Sequence, residues 1–150
     1  MILYLDFDGT IIPELDENGN RYIDWNRGFN HIYNRTVNAP AILSRKELFN
    51  YYDNKIEAIR FLTMRPESTA IDPIADWCDA HNFFYNAIFS AYPYINYDKK
   101  MSGDEEFCWH KALVMNATSH LNEECRYHDG DIVLMDRVNA IFKQIRTMIK

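Results

Sequence analysis

Residues 1–12 read MILYLDFDGTII, and the change of character at position 6 decides how the chain folds. Met1 to Leu5 form a continuous apolar run, as expected of a strand buried on both faces of a sheet. The run ends in Asp6-Phe7-Asp8-Gly9-Thr10, two carboxylates one residue apart beside a glycine. Carboxylates this close cannot all stay ionised in a cleft without positive compensation. Gly9 would let the backbone turn sharply beside them.

Outward from this segment, short apolar runs alternate with amphipathic stretches, the pattern of a parallel sheet flanked by helices. EAIRFL (57–62) is expected as the second strand, FFYNAIFS (83–90) as the third and residues 125–128 as the fourth. TIIPELDENGNRYIDW (10–25) reads as a β-hairpin flap, with Asn18-Gly19 at its turn. Residues 26–43 are poorly patterned, with one short helix through Phe29, Ile32 and Tyr33. Ser44-Arg45-Lys46-Glu47 fits a capping box that opens a helix to about Asp53. Asp72-Pro73 fits a cap and first turn, with Ile71, Ile74, Ala75 and Cys78 at helical spacing. A helix through Trp109, Ala112, Leu113 and Ala117 precedes the fourth strand. Val138, Ile141, Phe142, Ile145, Met148 and Ile149 mark one face of the last helix. The expected fold class is α/β, a three-layer Rossmann-like parallel sheet flanked by helices. One domain is expected over residues 1–150, with a small insertion at about 12–43.

The composition agrees with a folded chain. With 150 residues there is enough for one real core, and 47% hydrophobic with 25% charged residues argues against disorder. A net charge of -6 disfavours a broad electrostatic grip on nucleic acid. Cys78, Cys108 and Cys125 are odd in number and show no CxxC spacing, so reduced thiols in a cytoplasmic setting are expected. No apolar run reaches the length of a membrane span, and Met1–Leu5 is too short for a signal sequence. The stretch from Asp16 to Asn20 resembles a calcium loop only superficially, because Arg21 and Arg27 stand where glycine and glutamate are needed.

Ligands of open α/β sheets sit beyond the carboxyl ends of the strands. There the sequence places Asp6 and Asp8 after strand one, Thr63 after strand two, and Asp129 and Asp131 after strand four. Lys111 is expected at the start of the helix that leads into the fourth strand. A hard cation with oxygen ligands, Mg²⁺ above all, would neutralise these acids and keep positions open for a phosphate. A carboxylate held beside it is a nucleophile towards phosphorus. A second carboxyl two residues on could protonate a leaving alcohol and later deprotonate a water. The Thr63 hydroxyl and the Lys111 ammonium would hold the phosphoryl oxygens.

LDFDGT resembles motif I of the haloacid dehalogenase superfamily, whose members are mostly Mg²⁺-dependent phosphohydrolases. IRFLT, ending in Thr63, is similar to motif II, and Lys111 in WHKAL to motif III. Gly130-Asp131, with Asp136 five positions on, resembles the acidic motif IV, and the four occur in the family's order. The resemblance implies Asp6 as the nucleophile of an aspartyl-phosphate and Asp8 as the general acid/base, with Thr63 and Lys111 completing the catalytic set. It implies Asp6, Asp8 and Asp131 as Mg²⁺ ligands, with Asp129 and Asp136 as further candidates. Gly9, Thr10 and Arg65 are then candidates for substrate binding. The acid at position 8 resembles the phosphatase and phosphomutase branches, since the dehalogenases and ion-pumping ATPases lack one there. In one departure, Asp129 stands where the family has an apolar residue, so Asp129 and Asp131 compete for the metal, with Asp131 favoured.

Several of these residues have a second reading. Lys99 and Lys100 rival Lys111, and Asp136 would serve equally as a helix cap. Arg65 either meets substrate phosphate or pairs with Glu67, and His128 reads as a structural strand-end histidine. The gaps between motifs leave room only for a minimal cap, so an open site is expected, with Trp25, Phe29 and Tyr33 as candidates for substrate or partner contact. An open site fits either a bulky substrate, such as a phosphorylated polymer end or protein, or a small one enclosed by a neighbouring copy in a homo-oligomer, and the acidic balance favours a small phosphate ester. A nucleic-acid 3'-phosphate end is disfavoured by the charge. The alternatives are a phosphomutase and a non-catalytic metal- or phosphate-binding module.

Overall fold

The computed structural model describes residues 1–92 and 103–149, so Lys99 and Lys100 lie outside the described residues. Strand β1 (Ile2–Leu5) is buried along its whole length. It pairs in parallel with β2 (Ala58–Thr63) on one side and β4 (Cys125–His128) on the other, and β3 (Ala87–Ser90) lies beyond β2. The order β3-β2-β1-β4 is all-parallel among the described residues.

The unbroken apolar run of β1 is explained by two cores, one on each face, because successive strand side chains point opposite ways. Leu3 and Leu5 join Ile59, Phe61, Ile74 and Trp77, while Ile2 and Tyr4 join Leu62, Met115, Tyr127 and Ile141. The first core is covered by α1 (Phe29–Val37), α2 (Arg45–Tyr51) and α3 (Glu67–Ala80). The second is covered by α4 (Gly103–Ala117) and α5 (Ile132–Ile149). The chain is therefore an α/β structure with helices on both faces of its sheet. The register places Leu5 opposite both Phe61 and His128, and Thr63 opposite Ser90, so the strands' carboxyl ends share one edge.

Local chemistry departs from the sequence expectation in four places. The third strand covers 87–90 rather than 83–90, because Phe83 turns into the core and its N–H caps α3 at the Cys78 carbonyl, 2.9 Å away. Helix α3 starts at Glu67, not at Asp72-Pro73, which puts Pro73 in its interior. Proline has no N–H for the carbonyl four residues back, and that carbonyl, of Thr69, accepts instead from Arg65 Nη1 at 2.9 Å. Helix α4 begins at Gly103, so Lys111 sits in mid-helix. The expected hairpin is reduced to one bridge, Leu15 to Arg21, around a turn in which Asp16 Oδ1 accepts from the N–H groups of Asn18 and Asn20. The Ser44 capping box forms as read, with Ser44 Oγ accepting from Glu47 N–H and Glu47 accepting from Ser44 N–H.

Cys78, Cys108 and Cys125 are buried free thiols. Burial pushes the first two up to about 12 and about 11, which leaves them unreactive. Among the described residues no helix is long and apolar enough to cross a membrane.

Candidate active site at the carboxyl ends of the strands

A cleft of about 820 Å³ opens over the shared strand edge. Asp6, Asp8, Gly9, Thr63, Arg65, Asp129, Gly130 and Asp131 line it, with Glu14, Trp25, Tyr92 and Phe107 around them. Two loops make its floor, and they touch. Gly9 takes φ +77°, and a Cβ on Gly130 would lie 2.7 Å from the Gly9 carbonyl oxygen. The loop after β4 can approach the loop after β1 only because position 130 is glycine.

That contact closes a ring of side chains. Lys111 is fully buried, and its Nζ donates to Asp6 Oδ1 at 2.7 Å and to the Tyr127 hydroxyl at 2.5 Å. Tyr127 donates to Asp129 Oδ2 at 2.6 Å. Thr10 Oγ1 donates to Asp6 Oδ2 at 2.9 Å, lies 3.4 Å from Asp129 Oδ1, and accepts from Gly130 N–H at 2.8 Å. Asp6 and Asp129 are thus tied together through Thr10 on one side and through Lys111 and Tyr127 on the other. Burial raises the pKa of Asp6 to about 6; Lys111 opposes that rise, while Asp129 and Asp8 add to it. Burial and the two carboxylates push the Tyr127 phenol far above its ordinary value, so it stays a hydrogen-bond donor.

The acids that follow β4 are arranged differently from the sequence expectation. Asp131, the favoured metal ligand, is the N-cap of α5: its Oδ1 accepts from Val133 N–H at 3.0 Å and Leu134 N–H at 3.2 Å. Asp129 takes the place beside Asp6, buried, with its Oδ1 also accepting from Asp131 N–H at 2.9 Å. Asp136 is exposed on α5 and is not part of the cleft lining.

Arg65 also has another role than either expected. Its Nε and Nη2 fork onto Asp8 Oδ2 and Oδ1 at 2.8 and 2.7 Å, so it meets neither Glu67 nor open solvent. Thr63, buried at the end of β2, accepts from Arg65 N–H at 3.1 Å and keeps its own hydroxyl proton for the cleft. His128 is tied to the Tyr52 hydroxyl at 2.7 Å between two tyrosine rings, and burial holds its imidazole pKa below the usual value. Of the insertion aromatics, Trp25 reaches the cleft. Tyr33 instead donates to Asp76 at 2.5 Å and stacks with Phe29, fixing α1 onto α3.

The donor set suits a hard dication. It is all oxygen, and with Asp8 paired to Arg65, Asp6 and Asp129 share the Lys111 ammonium among the described residues. Asp6 and Asp129 are the side chains placed to hold such an ion. No group of three acidic, histidine or cysteine side chains suited to a metal is assembled among the described residues, so water, backbone or substrate oxygens would supply the rest.

Tyr127 and Arg65's fork were missed in the sequence. Tyr127 was detectable, because it stands two residues before Asp129 and so shares its side of the strand. No family model matches the chain, and searches of curated proteins and of solved structures returned no significant match.

Proposed function

We propose that the protein is a Mg²⁺-dependent phosphomonoesterase of haloacid dehalogenase type that works through a phosphorylated Asp6. The observation that carries the reading is the Asp6 carboxylate at the cleft floor, flanked by Lys111 and Thr10 with Asp129 beside it. The order and spacing of the four motif segments support it as well.

In this mechanism an Asp6 oxygen attacks phosphorus as the ester P–O bond breaks, and the leaving oxygen takes a proton from Asp8. Asp8 then takes a proton from water, the resulting hydroxide attacks phosphorus, and the Asp6–phosphorus bond breaks to return the carboxylate and release phosphate. Lys111 and the Thr63 hydroxyl stabilise charge on the phosphoryl group. Bound Mg²⁺ would offset the negative charge of phosphate and carboxylates together. Asp8, Glu14, Asp129 and Asp131 line the cleft, and its one guanidinium is already forked to Asp8, which supports a small ester over a polyanionic strand.

The test is phosphate release from 4-nitrophenyl phosphate with Mg²⁺. Release that stops with EDTA and with Asp6→Asn is expected. Turnover by Asp6→Asn at the wild-type rate would rule out the covalent mechanism.

A further inference from the structure

Arg65 raises a physical question that catalysis by Asp6 and Lys111 leaves open. Arg65 is 4% exposed, and burying its charge is costly unless it is paired and hydrogen-bonded. Here the partners come from three separate parts of the chain. Nε and Nη2 hold both oxygens of Asp8. Nη1 donates to Thr36 Oγ1 on α1 at 2.9 Å, and to the Thr69 carbonyl that Pro73 leaves without a helical donor. The ring planes of Phe7 and Trp25 lie near the guanidinium, 5.4 and 4.9 Å from ring centre to Cζ.

A planar fork gripping both carboxylate oxygens fixes a side chain's plane as well as its position. Each oxygen of Asp8 keeps a second lone pair outside the fork. Fixing the fork in turn requires Nη1 to be fixed, and Thr36, fully buried, does that from the insertion between the first two strands. Thr36 is itself anchored, donating to the Ile32 carbonyl at 2.7 Å. Four of the five guanidinium N–H groups are bonded, and in such a network truncation at one end is felt at the other.

We propose that Arg65 is the positioning residue of Asp8, and that Thr36 on α1 anchors Arg65, so that the insertion helix is coupled to proton transfer in the cleft. The inference rests on the phosphomonoesterase reading above. It makes α1 part of the catalytic support as well as a covering for the sheet. Position 36 then requires a hydroxyl acceptor in a place where a buried helix face would otherwise favour valine.

Proton delivery to the leaving oxygen matters most when that oxygen is a poor leaving group. The experiment is therefore kcat/KM, which reports steps through alcohol release, for 4-nitrophenyl phosphate and benzyl phosphate. Wild type, Thr36→Val, Thr36→Ser and Arg65→Lys are compared, with melting curves for each. Thr36→Val keeps the shape and removes the acceptor. It is expected to lose about tenfold on benzyl phosphate and under twofold on 4-nitrophenyl phosphate, a fraction of what a general acid supplies. Thr36→Ser should restore the benzyl rate. Arg65→Lys, which cannot fork, should repeat the selective loss more strongly and keeps the question decidable if Thr36→Val does not fold. Equal losses on both esters, or an unchanged ratio in both variants, would overturn the coupling and leave the phosphatase reading intact. A wild-type protein inert towards both esters would overturn the phosphatase reading and this inference with it.

Discussion

Lys111→Met should destabilise the protein in a way that depends on pH. The ammonium has no exposed surface, and its Nζ lies 2.7 Å from Asp6 Oδ1 and 2.5 Å from the Tyr127 hydroxyl. Methionine fills similar volume, so packing is nearly conserved and the electrostatic loss is what remains. Removing one member of a buried pair leaves the other uncompensated, at a cost of about 3–5 kcal/mol. For a chain of this size that corresponds to a fall in Tm on the order of 10 °C at neutral pH. The sign with pH follows from Asp6, whose pKa in the folded protein is about 6 against 3.8 in the unfolded chain. The folded state binds the proton more tightly, so this group's contribution is fully present below the unfolded value and is lost as pH rises through the folded one. Without Lys111, the strongest influence holding that value down, the Asp6 pKa climbs further and the loss at neutral pH deepens. Acidification removes the difference, because a protonated Asp6 no longer needs a counter-charge and the wild-type lysine is then the uncompensated member. Denaturant melts of both proteins between pH 4 and pH 8 measure this. A deficit equal at pH 5 and pH 8, or no deficit at all, would show that the pair is not the buried, coupled unit described.

Four further outcomes follow from the same geometry. Mg²⁺ should raise Tm at neutral pH, with about 2.7 kcal/mol gained at a hundredfold excess over Kd, and Asp129→Asn should remove most of that response in a thermal-shift titration. Asp131→Ala should instead cost about 1 kcal/mol as a lost helix cap in denaturant melts while keeping the Mg²⁺ response. Gly130→Ala drives a methyl group to 2.7 Å from the Gly9 carbonyl, so a loss of roughly 1–3 kcal/mol in melts and a sharp drop in phosphate release are expected. Tyr127→Phe leaves Lys111 and Asp129 each short of a partner, and should cost about 1–3 kcal/mol by the same melts.

The fold was largely legible because its strongest signal is one-dimensional. Short apolar runs at wide spacing demand burial, and β1 meets that demand on two faces with alternate side chains in separate cores. The errors fall where a side chain replaces a backbone interaction, which spacing cannot show. Asp72-Pro73 carried a helix-start signal, yet the helix runs through Pro73 because an arginine eight residues earlier supplies the donor that proline lacks. Asp16 likewise closes its own turn and so removes the need for two full hairpin strands.

The site divides along the same line. Asp6, Asp8, Thr63 and Lys111 were legible because each sits at a strand end or on a neighbouring helix, and parallel register carries them to one edge. Asp129 and Asp131 could not be ranked that way, since both follow the same strand. What separates them is the start of α5: its first turn has N–H groups needing an acceptor, and Asp131 stands where an N-cap must stand. With that carboxylate engaged by the helix, Asp129, one residue past β4 and held by the Tyr127 hydroxyl, is tied through Thr10 to Asp6. The acid that departs from the pattern of the resemblance, Asp129, is therefore the one tied to Asp6 through Thr10, and the acid that fits it, Asp131, begins the helix.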